Sequence, residues 1–312
     1  EISDLRNPMA REAAILAEGL TKHYGHVHAL NDLDLSVQKG EVFGFLGPNG
    51  AGKTTAIRTL MDEIRPTAGK ASIVGLDTHD KSVEIRRHIG YLPGDLAMYP
   101  GLTGKDLLSY FANLRGGVDW SYVEGLAERL NADLSKKVGN LSSGNRQKIG
   151  LIQAFMSRPE VLIMDEPSTG LDPLVQREFQ AILRELVGDG KTVFLSSHTL
   201  SEVQRVADRV GIIRNGNLIT VESVSSLRSK AMRRVEFEFG SDADSSVFEA
   251  VEGVNNVVIE GRRIVLSYDG TMDVLLKAAM DHHDTVVDIT THEADLEDIF
   301  LTYYVDEGAS GS

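Results

Sequence analysis

The sequence contains no cysteine among its 312 residues, a single tryptophan and only 6% aromatic residues. Without cysteine the chain forms neither disulfide bonds nor thiolate metal sites, and this composition fits a protein of the cytosol. Long apolar runs are also missing, because no stretch approaches the roughly 18–20 residues that a membrane-spanning helix needs. The segment Glu1–Arg6 lacks the apolar region of a signal peptide, so we expect none there.

Positive charge is scarce in the last quarter of the chain, which has a net charge of −14 overall. Residues 1–228 carry 26 Lys and Arg against 28 Asp and Glu, whereas residues 229–312 carry 6 against 18. Such an acidic segment repels nucleic acid and anionic lipid headgroups. We therefore predict no nucleic-acid partner, and a domain boundary near residue 228.

One segment fits the phosphate-binding loop pattern G-x-x-x-x-G-K-[ST] without a gap. The apolar run 42–46 before it indicates a buried strand, and residues 55–61 after it indicate a helix, which is the context that this motif requires. In such a loop, backbone N–H groups and the helix N-terminus surround phosphate, Lys53 bridges the β- and γ-phosphates, and the Thr54 hydroxyl binds Mg²⁺. The sequence therefore predicts a nucleoside triphosphate site. Its loop residues are Gly47, Pro48, Asn49, Gly50, Ala51, Gly52, Lys53 and Thr54.

A second apolar run, 161–164, ends in two carboxylates, Asp165 and Glu166. Asp165 is a candidate ligand of Mg²⁺, because this hard cation prefers oxygen ligands. Glu166 is a candidate general base that polarises the attacking water molecule. The pair predicts that the bound nucleotide is hydrolysed.

Further polar segments accompany these two motifs. Leu141–Asn145 opens a predicted helix with small residues, which makes a second anion-binding helix terminus. Ser168–Pro173 follows the carboxylates directly, and His198 comes at the end of the next predicted strand. Tyr24 lies upstream of the phosphate loop, where an aromatic ring could stack on a base.

In this order and spacing, residues 14–226 resemble the ATP-binding cassette (ABC) family. The resemblance implies an α/β fold of the ABC-type P-loop ATPase class, with a mixed sheet core and a helical subdomain at about 91–159. It also implies a function for each motif. Tyr24 corresponds to the adenine-stacking aromatic, Gly47–Thr55 to the Walker A loop with Thr55 included, Leu141–Asn145 to the signature, Asp165 and Glu166 to the Walker B pair, Ser168–Asp172 to the D-loop, and His198 to the switch histidine.

The same resemblance implies ATP and Mg²⁺ as cofactors, with Thr54 and Asp165 at the metal and with Lys53, Glu166 and His198 as catalytic residues. It further implies a head-to-tail dimer of two copies, in which each ATP lies between the Walker A loop of one copy and the signature of the other. Ser142 and Gly144 would then reach the γ-phosphate across the interface, and Asp172 would contribute from the D-loop.

Two segments depart from the family pattern. The signature L-S-G-G-Q is replaced by Leu141–Asn145, which reads LSSGN but keeps Ser142 and Gly144. The family usually has Gln or Glu where this chain has Gly94, and that side chain contacts Mg²⁺ and water. Asp95 is one possible substitute, and an acid on a surface loop is the alternative. We expect Gly94→Gln to change hydrolysis or its coupling to transport rather than stability.

Within the family, the chain resembles the ATPase subunits of bacterial drug and antibiotic exporters. The features that carry this likeness are an extra C-terminal domain, the ending Glu293–Leu301, the run Gly90–Pro93 and the variant Gly144–Lys148. The likeness implies separate transmembrane permease subunits as partners. It places the chain at the cytoplasmic face of the cell membrane, bound through the permease.

Residues 229–306 are predicted to form a small, acidic α+β accessory domain. Its order of elements, β-α-β-β-α-β followed by a helix at 295–305, is ferredoxin-like. Every nucleotide motif lies before it, so we expect a dimer-contact or regulatory module. The apolar stripe of the terminal helix, Leu296, Ile299, Phe300 and Tyr303, is the candidate contact, either with a second copy or with the sheet of its own domain.

Other functions are compatible with an ABC cassette. A soluble ABC ATPase acting on DNA or ribosomes is the main alternative, although the chain has neither a long coiled coil nor a basic linker. A ligand-sensing regulator, with the accessory domain as the sensor, is compatible with export. The substrate does not follow from the sequence, because export substrates are chosen by the membrane subunit.

Overall fold

The computed structural model describes residues 13–230, 233–241, 246–282 and 285–292. The chain divides into two compact units after Glu222, a few residues before the boundary that the charge distribution predicts. The C-terminal helix predicted at 295–305 lies outside the described residues. Within those residues, no helix combines the length and apolarity that a bilayer crossing demands.

The first unit contains ten strands and seven α-helices within its described residues. The strands are β1 (Ala13–Tyr24), β2 (Val27–Gln38), β3 (Val42–Leu46), β4 (Ala68–Ile73), β5 (Leu76–Asp77), β6 (Ile89–Leu92), β7 (Val161–Asp165), β8 (Thr192–Ser197), β9 (Arg209–Arg214) and β10 (Asn217–Ser223). The helices are α1 (Lys53–Leu60), α2 (Ser82–His88), α3 (Gly104–Leu114), α4 (Trp120–Arg129), α5 (Ser143–Phe155), α6 (Pro173–Gly188) and α7 (Leu200–Val203).

These strands form two sheets. One has the order β2-β1-β4-β5 with antiparallel pairs. The other has the order β10-β9-β3-β8-β7-β6, and in it β3 runs parallel to β8 and β9, and β7 parallel to β6 and β8. The carboxyl ends of β3, β7 and β8 therefore meet at one edge, where the phosphate loop, the two carboxylates and His198 follow them.

The unbroken apolarity of the central strands explains why they are buried. Every residue of β3 and β7 is buried, as expected for parallel strands covered on both faces. Phe43 and Phe45 of β3 pack against Phe194 of β8, with ring centroids 5.9 and 5.5 Å apart. Each such buried ring contributes about 1.5–3 kcal/mol. This apolar core holds the carboxyl ends of β3, β7 and β8 in place, and the polar residues of the motifs follow those ends.

The segment predicted to be helical, 91–159, begins with the last two residues of β6, which the sequence interpretation did not recognise as a strand. Its helices are α3, α4 and α5. A capping box begins α3: the Thr103 hydroxyl accepts from the Asp106 backbone N–H, and the Asp106 carboxylate accepts from the Thr103 backbone N–H. Asp119 caps α4 in a similar way, by accepting from the backbone N–H groups of Ser121 and Tyr122.

The second unit begins with α8 (Val224–Lys230) and has one antiparallel sheet. Its other elements are β11 (Arg233–Phe239), α9 (Ser246–Glu249), β12 (Val254–Glu260), β13 (Arg263–Tyr268), α10 (Met272–His282) and β14 (Val286–His292). The strand order β12-β13-β11-β14 is that of a split β-α-β-β-α-β unit, so the structure has the ferredoxin-like topology that the sequence predicts. Phe237, Phe248 and Leu275 lie in its separate apolar core.

Candidate functional site

The phosphate loop joins β3 to α1 and encloses its own lysine. Gly50 and Gly52 have φ angles of +81° and +109°, a region that residues with a side chain disfavour. The Lys53 side chain is only 6% exposed, and its Nζ donates to the carbonyl oxygens of Gly47, at 2.6 Å, and Pro48, at 3.2 Å. The ammonium group therefore lies in the middle of the loop, where a phosphate group would be bound.

Asp165, at the end of β7, is fixed through both of its carboxylate oxygens. Its Oδ2 accepts a hydrogen bond from Thr54 Oγ1 at 2.7 Å, and its Oδ1 accepts from the Ser196 hydroxyl. Ser196 is its partner on β8 in the register of the two strands. A hydroxyl and a carboxylate oxygen thus converge beside the loop, and Mg²⁺ is commonly held by one or two carboxylates together with phosphate oxygens. The described residues contain no cluster of three or more metal-ligating acids, histidines or cysteines.

Glu166 has a left-handed backbone, with φ of +50°. A non-glycine residue in this region costs about 1–3 kcal/mol, and neighbouring contacts must hold it there. The Ser196 hydroxyl accepts from the Glu166 backbone N–H at 3.0 Å. On the other side, Gln147 Nε2 of α5 donates to the carbonyl oxygens of Glu166, at 3.3 Å, and Pro167, at 3.0 Å. Two side chains from different elements therefore hold this turn.

The Glu166 carboxylate lies between two basic groups. Its Oε1 is 3.3 Å from Lys53 Nζ, and its Oε2 is 2.8 Å from His198 Nδ1. In this position the Glu166 carboxylate could accept a proton from a water molecule beside the phosphate loop.

The phosphate loop, the two carboxylates Asp165 and Glu166, and His198 line one cleft of about 740 Å³. The structure brings together there most of the predicted loop, metal and catalytic residues. The predicted residues that line the cleft are Pro48, Asn49, Gly50, Ala51, Gly52, Lys53, Thr54, Thr55, Asp165, Glu166 and His198. Gly47 adds the carbonyl group that accepts from Lys53.

The cleft also contains residues that the sequence analysis did not assign to the site. They are Val27, His28, Ala29, Arg58, Gly94, Asp95, Gln147, Thr169 and Asn215. Gly94 and Asp95 lie where the chain departs from the family pattern, Gln147 comes two residues after the signature, and Thr169 lies within the D-loop range. Nothing in the local sequence marks Val27, His28 or Asn215, because strand pairing and distant turns bring them to the cleft.

Tyr24, the predicted base-stacking residue, does not line this cleft. It lies at the end of β1, opposite Val27 in the strand register, and Val27 does line the cleft. Its ring is 48% exposed, and the Lys22 ammonium group lies 4.9 Å from the ring centroid. Base stacking by Tyr24 stays a prediction.

Ser142, Gly144 and Asp172 also lie outside the cleft and close to one another. Ser142 caps α5 by accepting from the Asn145 backbone N–H at 3.3 Å. A Cβ atom on Gly144 would lie 2.3 Å from the carbonyl oxygen of Gly170, so only glycine permits this approach of α5 to the loop 168–172. Asp172 caps α6 through hydrogen bonds from backbone N–H groups, chiefly that of Val175, which lower its pKa. The start of the signature helix thus packs against the D-loop at Gly170, and Ser142, Gly144 and Asp172 do not line the cleft of their own chain.

Replacing Ser196 tests the support of the two carboxylates. In Ser196→Ala, Asp165 loses a donor and the Glu166 N–H loses its acceptor, so we expect a loss of about 1–3 kcal/mol in unfolding free energy. We also expect metal-dependent hydrolysis to fall about 10–100-fold, as is typical when a partner of a metal-binding carboxylate is removed. Denaturant unfolding and steady-state hydrolysis measure the two effects.

The matched control is Ser157→Ala, because the Ser157 hydroxyl is a buried group for which the described structure shows no hydrogen-bond partner. This variant should keep wild-type hydrolysis. Equal effects of the two substitutions would contradict the assigned contribution of Ser196.

Comparison with known proteins identifies the architecture. The family model described as "ABC transporter" matches residues 30–169. The chain is 34% identical to the bacitracin transport ATP-binding protein BcrA of Bacillus licheniformis, over 90% of this chain and 94% of that protein. It is 32% identical to the daunorubicin resistance ATP-binding protein DrrA3 of Streptomyces coeruleorubidus, over 93% and 95%. A solved ATP-binding subunit of an ABC transporter superposes with a TM-score of 0.64 at 28% identity, over 70% and 92%. The chain belongs to the ATP-binding cassette family of ABC transporter ATPases.

Proposed function

We propose that the chain is the ATP-hydrolysing subunit of a bacterial ABC exporter of drugs or antibiotics. The observation that carries the hydrolytic part is the position of Glu166, between Lys53 and His198 and beside the Thr54–Asp165 pair. The transport part is supported by the relatives named for bacitracin transport and daunorubicin resistance, which this chain matches over nearly their whole length. The alternative function, hydrolysis on DNA or ribosomes without a membrane partner, is not favoured by these relatives.

The described residues fit an ATP·Mg²⁺ complex. The loop offers backbone N–H groups and Lys53 to the phosphates, and it is followed directly by the N-terminus of α1. Thr54 Oγ1 and Asp165 Oδ2 present two oxygen ligands 2.7 Å apart. Bound there, Mg²⁺ would neutralise charge that develops on the phosphate oxygens.

In the proposed reaction the protein positions the water molecule and stabilises charge. When ATP binds, phosphate oxygens replace the carbonyl oxygens of Gly47 and Pro48 as the hydrogen-bond acceptors of Lys53 Nζ. Glu166 is then released from its ion pair with Lys53 and accepts a proton from the water whose oxygen bonds to the γ-phosphorus. The bond between that phosphorus and the β–γ bridging oxygen breaks, and ADP leaves with the electron pair. His198, bonded to the other carboxylate oxygen, keeps Glu166 oriented.

We propose that two copies pair head to tail around two ATP molecules. The supporting observation is that Ser142 and Gly144 begin a 13-residue helix whose N-terminus lies outside the cleft of its own chain. A helix N-terminus attracts phosphate. A second copy that presents this terminus to the cleft completes the site, with Asp172 beside it on the same surface.

The proposed permease needs a docking surface, and the first unit contains a basic groove of about 850 Å³. It lies between α2, the end of α3 and the end of α5. Four arginines and one aspartate line it: Arg86, Arg87, Arg115, Arg158 and Asp119. Arg158 pairs with Asp119 at 3.5 Å, and Arg115 donates to the Ile89 carbonyl oxygen at 2.9 Å. In the described part of the chain, Arg86 and Arg87 form no ion pair, and we propose that they meet acidic residues of the permease.

Reversing these charges tests the docking. With Arg86→Glu and Arg87→Glu combined, we expect the membrane permease that co-purifies with the wild-type chain to be lost, or retained at least about tenfold less, because like charges then face each other. ATP binding by the isolated chain should stay unchanged. The control carries Lys105→Glu and Arg177→Glu, an equal charge change on exposed positions outside the groove.

The proposed export is tested in vesicles that contain the chain and that permease. ATP-driven accumulation of bacitracin or daunorubicin, absent with Glu166→Gln, is the expected result. ATPase activity that no membrane partner changes, together with no transport, would leave the soluble alternative.

We also propose a location for the chain and a function for its accessory domain. The chain is held at the cytoplasmic face of the membrane through the permease. Residues 229–306 act as a dimer-contact or regulatory module, which is supported by their acidity and by the position of every nucleotide motif before residue 200.

A further inference from the structure

Gly94 lies against the carboxylate that the proposed metal site uses. A Cβ atom on Gly94 would be 2.9 Å from Asp165 Oδ2 and 3.2 Å from Asp165 Cγ. Real Cβ atoms essentially never approach a heavy atom more closely than 3.0 Å. A side chain at residue 94 would therefore have to displace Asp165.

Asp165 has little freedom to move away. Thr54 donates to its Oδ2 at 2.7 Å, Ser196 donates to its Oδ1, and the residue is 2% exposed at the end of a buried strand. Packed interiors resist such displacement, because each neighbour is itself in contact with others. A Gln or Glu at residue 94 would therefore disturb the Asp165 carboxylate, whereas glycine leaves it in place.

The next residue carries a suitable group. Asp95 lines the same cleft as Thr54 and Asp165, and its side chain is exposed. Within the described residues, the Asp95 carboxylate makes no hydrogen bond or ion pair. Its charge is therefore not neutralised by a neighbour, whereas Glu166 is paired with Lys53 and His198. Carboxylate oxygens are ligands that Mg²⁺ prefers, either directly or through a water molecule of its shell.

We propose that Asp95 supplies the carboxylate that contacts the magnesium ion of bound Mg·ATP, directly or through a water molecule, in place of the side chain that Gly94 lacks. The inference rests on the proposed ATP·Mg²⁺ site and is independent of the transported substrate. It has a consequence that a neutral glutamine would not have. Without the metal, Asp95 repels the phosphates of ATP; with the metal, it attracts the complex.

The test measures equilibrium binding of ATP to the full-length chain, once with Mg²⁺ and once with a chelator. We expect Asp95→Asn to weaken binding of Mg·ATP about tenfold, the low end for lost contacts around a metal. Binding of metal-free ATP should stay equal or become tighter, because a repelling charge has gone. Asp95→Glu should restore part of the metal-dependent binding. The control is Asp189→Asn, which neutralises an exposed acid at the end of α6, away from the cleft.

Each other outcome overturns the proposal. Unchanged binding in both conditions would make Asp95 an ordinary surface acid. Equal weakening in both would point to a disturbed loop, and tighter binding in both would leave Asp95 as a repelling charge only. If the wild-type chain bound no ATP in either condition, the proposed nucleotide function itself would fail, which is a different result. Thermal unfolding of each variant checks that the fold is retained.

Discussion

Glu166→Gln should lower the rate of ATP hydrolysis about 10²–10⁴-fold, the contribution typical of a general base, while the affinity for ATP stays within about twofold. The substitution keeps the shape of the side chain but removes the proton acceptor. Lys53, Thr54 and Asp165 are unchanged, so the phosphate and metal contacts remain. If ATP closes the proposed dimer and hydrolysis reopens it, the variant should accumulate as an ATP-bound dimer.

Two measurements check this expectation. Steady-state ATPase activity with the membrane partner gives the loss of rate, and size-exclusion chromatography with and without ATP gives the dimer. Glu160→Gln is the matched control, since Glu160 precedes β7 at the opposite end from Asp165 and pairs with His88 on the surface. A turnover above a tenth of wild type would remove Glu166 from its catalytic assignment.

Gly94→Gln should reduce hydrolysis about 10–100-fold, which is the effect expected when a metal-binding carboxylate is displaced. The sequence alone predicts that hydrolysis or its coupling changes, but not whether it rises or falls. The distance of 2.9 Å between a Cβ atom on residue 94 and Asp165 Oδ2 predicts a decrease. Gly94→Ala should show most of the loss, because the Cβ atom causes the conflict. The loss should be smaller at saturating Mg²⁺.

Gly101→Ala is the control for this series, since a Cβ atom there meets nothing within 4 Å. If Gly94→Gln hydrolysed ATP faster than wild type, the loop would have room for the family's side chain. A side chain at residue 94 would then not disturb Asp165.

The motifs that combine a strand with a short polar segment could be predicted from the sequence. The run 42–46 before the phosphate loop and the run 161–164 before Asp165 are apolar over their whole length, and parallel strands of one sheet bring their carboxyl ends to one edge. That logic places Lys53, Asp165, Glu166 and His198 together, as they are in the cleft. The order of strands in the accessory unit could also be predicted, because its alternation and turns are local signals.

The contacts that depend on exact register could not be predicted. Ser196 meets Asp165 because β7 and β8 pair in one particular register. The closeness of Gly94 to Asp165 depends on the edge strand β6, whose four residues were not recognised as a strand. Val27 lines the cleft and Tyr24 does not, which is decided by the path of the β1–β2 turn. Packing between distant parts of the chain determines each of these positions, so no local sequence pattern predicts them.

Gln147 gives the two ATP sites of the proposed dimer a mechanical link. It lies on α5, whose N-terminus would hold the ATP of one site, and it donates to the carbonyl oxygens of Glu166 and Pro167, which belong to the other site. A shift of α5 on nucleotide binding would therefore move the turn that orients Glu166 in the other site. In the proposed dimer we therefore expect the two sites to hydrolyse ATP cooperatively, with a Hill coefficient above one, through the hydrogen bonds that Gln147 donates.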